Sequence, residues 1–245
     1  MTDFQRDLAQ NVHAQALATP IRACVLTKAR LPSHFLIPFV SNLPPKTPNA
    51  QSTPPQPPLL IKPSLVPRIG PWKSSQPSSY ILASHSAIAH LIGPRTRKKE
   101  KGGSKWAMLV SERMKKPWAM RERKSVDKVA VAKEWEWDEE MDERVKGLLG
   151  REVVRRVRWC VGQEEDLVGR VGEGDGEDEI VVRIGGEGDQ IAGFDLREMV
   201  DEEALVELRG LFDGADAFVL RRHSKTVITH LALEALRNYT EEIDT

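Results

Sequence analysis

The chain has 245 residues, 36 Lys plus Arg against 36 Asp plus Glu, and two cysteines, Cys24 and Cys160. Two cysteines exclude a disulfide framework and a cysteine zinc set, and no run of about 18 apolar residues exists to form a membrane-spanning helix. The neutral total hides a division: residues 1–100 hold 15 of the 16 prolines with 12 basic and 3 acidic residues (12 − 3 = +9), whereas residues 101–245 hold 24 basic and 33 acidic (24 − 33 = −9).

Proline fixes φ and lacks a backbone donor, so a stretch this rich in it is expected to bury too little surface to offset chain entropy. Residues 1–103 therefore read as a largely disordered, basic, Pro/Ser-rich arm. Within it, Phe4, Leu8 and Val12 form one stripe of a short helix over 3–17, which Pro20 ends. From residue 8 to residue 99 there is no acidic residue. That composition suits an organelle transit segment, but Asp3 and Asp7 count against it, because a transit helix presents a cationic face.

Residues 44–77, with Pro54-Pro55-Gln56-Pro57-Pro58 at their centre, favour polyproline II. A stiff spacer is preferred to a PxxP ligand, since no cation flanks the motif. Residues 79–93 form an apolar island, expected as a short helix through Ile81, Ile88, Ala89 and Ile92 and stopped by Gly93-Pro94. His85 and His90 are five apart, which does not suit a two-ligand helical metal site. Next comes a cationic run, Arg95, Arg97, Lys98 and Lys99, with Lys101 and Lys105 beyond. It reads as a nuclear import signal, as a contact for nucleic acid over 95–105 through phosphate attraction, or as a solvated linker.

Residues 104–150 are expected to be helical. Ser104 caps a helix over 105–115, closed by Pro117, and Ser125 caps a longer one over 126–149, ended by Gly150. Residues 134–143 hold seven acids around Trp135 and Trp137. On a helix, residues two apart diverge by about 200°, so one of the two tryptophans leaves the core stripe. Trp135 and Trp137 are thus candidate anchors for a protein partner. The simpler alternative keeps them inside, with the acids meeting Arg113, Lys115, Lys116, Arg121, Arg123 and Lys124.

Residues 151–245 read as an α+β domain packing on those helices. Strands are expected over 152–161, 167–171, 179–184 and 190–194, forming an antiparallel meander with glycine-rich turns. A helix over 201–212, a turn at Asp213-Gly214, a strand over 217–222 and a helix over 226–243 complete the order ααββββαβα. The fold class is therefore α+β, a basic arm followed by a small domain with an antiparallel sheet.

The glycine-rich turns are no phosphate cradle. They alternate with Glu173, Asp175, Glu177, Asp178 and Glu179, and a strand follows them. Their spacing does not match an EF-hand either. Cys160 could act as a nucleophile with His223 or His230 as base, but nothing local supports the pairing. Arg221-Arg222-His223-Ser224 makes Ser224 a candidate phosphorylation site at the start of the closing helix. No cofactor, metal or membrane contact is expected. The sequence favours a non-enzymatic adaptor or assembly factor of a eukaryotic intracellular complex, with a protein partner. The compartment preference is nuclear, slightly ahead of mitochondrial. The alternatives are an enzyme with a scattered Cys/His site, or a mitochondrial ribosome or respiratory assembly component.

Overall fold

The computed structural model describes residues 2–42, 59–65, 78–92, 105–121, 125–126, 135–163, 166–171, 179–186 and 193–242. The described elements form a mixed α+β chain with seven α-helices and two four-stranded sheets. The chain divides into two units. A middle unit spans Ile21–Arg144, and a split unit joins Met1–Pro20 to Val145–Thr245.

The split unit opens with α1 (Asp3–Gln10) and α2 (Val12–Leu17). The local sequence specifies both. Thr2 and Gln5 make a reciprocal capping box at α1, and Asn11 ends α1 while its side chain accepts from the Ala14 N–H at the start of α2. The single helix expected over 3–17 is therefore two.

In the middle unit a short hairpin, β1 (Ile21–Ala23) and β2 (Arg30–Pro32), precedes β3 (Leu36–Asn42), β4 (Leu59–Pro63) and β5 (Ser78–Leu82). β3 is central and antiparallel to both β4 and β5. Pro38 lies within β3, paired with Tyr80. Its missing donor misled the composition argument, because its carbonyl still accepts from the Ser64 N–H. The arm expected to be disordered thus carries sheet residues at 36–42, 59–63 and 78–82. Phe39, Ile61, Ile81, Ile88 and Leu91 bury their side chains. The apolar island is a strand followed by a helix, α3 (His85–Ile92), with the Ser84 hydroxyl accepting from the Ala87 N–H. The proline cluster at 54–58 and the basic residues Arg95, Arg97, Lys98 and Lys99 lie outside the described residues.

A 3-10 turn at Lys105–Leu109 leads to α4 (Glu112–Arg121), which runs through Pro117 rather than ending at it. The helix expected over 126–149 begins only at Met141. Residues 127–134 lie outside the described residues, and Trp135–Glu136 form a strand, β6, parallel to β4.

Helix α5 (Met141–Val161) replaces the strand expected over 152–161. Val145, Leu149, Val153, Val157 and Cys160 are all buried, a helical stripe unbroken by Gly150. Gly150 sits where a Cβ would meet Val200 Cγ1 at 3.2 Å, so it permits a close approach rather than a stop. Trp159 and Val161, which made the alternation look like a strand, are exposed.

The rest of the split unit is β7 (Val168–Arg170), β8 (Glu179–Arg183), β9 (Gly193–Asp195), α6 (Glu202–Leu211), β10 (Ala217–Arg221) and α7 (Val227–Glu241). The sheet order is β7-β10-β8-β9. β10 is antiparallel to β7 and β8, and β8 is parallel to β9, so the sheet is not a simple meander. Phe218, Val219, Leu220, Val182 and Ile184 form its buried centre, flanked by Leu205, Leu208, Leu233 and Leu236 from α6 and α7.

Candidate functional site

Trp135 is 1% exposed, held on β6. Trp137 stacks against Phe39 and against Trp106, with ring centroids 5.7 and 6.3 Å away. Trp135 is thus buried on a strand and Trp137 stands among aromatic rings of the middle unit, the two lying outside any helix. Part of the neighbouring acidic run is paired: Asp138 meets Arg144, and Asp142 approaches His85 at 3.8 Å.

In the split unit, Cys160 is buried and its Sγ lies 3.2 Å from Thr229 Oγ1. Burial pushes its thiol up, outweighing the Thr229 hydrogen bond and the charge of Arg156. A thiol held protonated is a poor nucleophile. Its hydrogen-bond partner is a threonine, not a histidine. His223 accepts the Lys225 backbone N–H at its Nδ1, 3.2 Å away, and the His223 backbone N–H donates to Thr226 Oγ1. The Cys160–His pairing considered from sequence is not assembled among the described residues.

His230 lies in a different setting. Its Nε2 is 3.6 Å from Glu234 Oε1 one helical turn on, and the Phe194 ring meets it edge-on at 5.7 Å. A cleft of about 310 Å³ runs beside it, lined by Asp7, Asn11, His13, Arg222, His230 and Glu234. Burial chiefly holds the imidazole below its ordinary value, with Arg222, Arg237 and His13 adding to the effect against the pull of Glu234. The His230–Glu234 spacing was visible in the sequence. His13 was not connected to it, because the contact joins residues from opposite ends of the chain.

A second cleft of about 330 Å³ lies along β9 and α7, where Arg183, Phe194, Asp195, Glu198, Arg237 and Glu241 converge. Its charges are largely committed. Arg237 lies 4.9 Å over the Phe194 ring and 3.7 Å from Glu241, and Asp195 is bound by Arg197. No group of three or more metal-ligating side chains occurs among the described residues.

Ser224 is exposed in the turn between β10 and α7. Arg221, three residues before it, pairs with Asp166 and Glu179 and so is drawn into the sheet edge. Among the described residues no helix is long and apolar enough to cross a membrane.

No curated protein and no solved structure matches the chain. A family model described as "Required for respiratory growth protein 8 mitochondrial" matches residues 1–167, which include the whole middle unit, the N-terminal helices and α5. This overturns the preference for the nucleus. That preference rested on the cationic run at 95–101, whose charge alone does not separate an import signal from a solvated linker. With most of its length matched, the chain belongs to the mitochondrial family required for respiratory growth, protein 8.

Proposed function

We propose that the chain is a non-enzymatic assembly component serving the mitochondrial respiratory apparatus or the ribosome that supplies it, acting by binding a protein partner. The family match over residues 1–167 carries this reading, since respiratory growth is the trait the family is named for. The burial of Cys160 against Thr229 supports a non-catalytic role for that thiol. Cells deprived of the protein should lose growth on a respiratory carbon source while keeping growth by fermentation. The tagged chain, purified from mitochondria, should bring down subunits of one assembly. Undiminished respiratory growth without the protein would refute the proposal.

A further inference from the structure

The N-terminal helices are held to their unit by a small contact. α1 buries no side chain, and its Phe4 is 69% exposed. α2 supplies Val12 and Ala16, which close on Val227 and Leu231 of α7 as a cluster of their own. An element secured by so few buried groups lies at the low end of local stability and opens before the unit unfolds.

The cleft around His230 adjoins this contact, and charged groups face it from each surrounding element. Glu234 and Arg237 come from α7, Arg222 follows β10, His13 comes from α2 and Asp7 from α1. Phe194 of β9 closes one side with its ring edge. We propose that α1 and α2 form a latch on α7, closed while His230 is neutral and released when His230 takes up a proton.

A proton on His230 adds a positive charge beside Arg222, Arg237 and His13, in a half-buried place where Glu234 is the carboxylate in contact. The sign follows from the lowered affinity for that proton. In the closed form His230 binds a proton less readily than free imidazole, whose value is about 6.5. Burial is the largest cause of that lowering, and Val12 and His13 of α2 line the cleft beside the ring, so release of α2 opens His230 to water and the closed form carries fewer protons. It is favoured fully above that value and loses ground as pH falls through it. Release bares Val227 and Leu231 together with the apolar face of α2, a surface that the closed form hides.

Hydrogen exchange on the full chain, corrected for intrinsic rates, tests this. Between pH about 7.5 and about 5.5, protection over residues 3–17 should fall by about threefold or more, with α5 unchanged. His230→Gln should abolish the fall. Protection that does not respond to pH, or a fall that persists in His230→Gln, would each overturn the latch. Protection at α5 shows whether the variant has kept its fold.

Discussion

Cys160 and Thr229 join α5 to α7 through a buried pair, Sγ to Oγ1, at 3.2 Å. Either atom can donate, and neither side chain is open to solvent. The thiol therefore serves packing. Cys160 should resist alkylation in the native protein and react once denaturant unfolds the split unit, as mass spectrometry of the labelled peptide would report. Thr229→Val keeps the shape and deletes the hydroxyl, so it should cost about 0.5–1.5 kcal/mol. Fast native labelling of Cys160 would show that the thiol is accessible and the packing role mistaken.

Phe39 is fully buried on β3 and stacks on Trp137 at 5.7 Å, and Trp106 stacks on the same ring at 6.3 Å. Phe39→Ala leaves a cavity at the centre of the sheet and removes one ring of the stack. The expected loss is about 3–5 kcal/mol by urea unfolding, with a change in tryptophan emission. A loss under about 1 kcal/mol would mean that the stack adds little to the core.

How far the sequence revealed this architecture depends on the range of the forces involved. Elements set by local chemistry were legible. Asp201 caps α6, Asp213 and Gly214 turn the chain at positive φ, and β10 and α7 fall within a residue or two of their expected bounds. The strands at the front of the chain were not legible, because composition counts prolines without placing them. Pro32 and Pro63 end strands, and Pro38 sits in β3 with its carbonyl still in use. The 152–161 segment satisfies period two if counted from Val153, but the stripe from Met141 to Cys160 has the helical period throughout and wins by burial. The His230 cleft was half legible. Glu234 is a local neighbour, whereas His13, Arg222 and Phe194 arrive by tertiary folding.

Gly193 opens β9, where a Cβ would stand 2.0 Å from the Val181 carbonyl oxygen of β8. The obstructing atom is backbone and cannot swing aside. Gly193→Ala should push β9 off the sheet edge and cost about 1–3 kcal/mol. The check is exchange at the Val181–Arg183 amides paired with β9, which should quicken while β10 stays protected at its pairing with β7. Unchanged exchange there would mean that the parallel pair is not formed in solution.

Glu152 ties two arginines together on α5. Its carboxylate accepts from Arg155 Nε at 2.8 Å and from Arg156 Nε at 2.8 Å. Burial alone would raise its proton affinity, but the hydrogen bonds and charges of Arg155 and Arg156 outweigh burial and hold the carboxyl below its ordinary range. A carboxylate depressed in the folded state stabilises the fold above its unfolded value and loses that contribution as pH falls through its folded one. Glu152→Gln should therefore weaken the protein near neutral pH. The gap between wild type and variant should narrow as pH falls below the ordinary carboxylate value of about 4.3, because the wild-type carboxyl then takes up its proton and becomes neutral as well. Urea unfolding of both proteins across that range measures the gap directly. A difference that stays constant down to the acid end would mean that the two arginine bonds contribute no charge-dependent stability, and that Glu152 acts through packing alone.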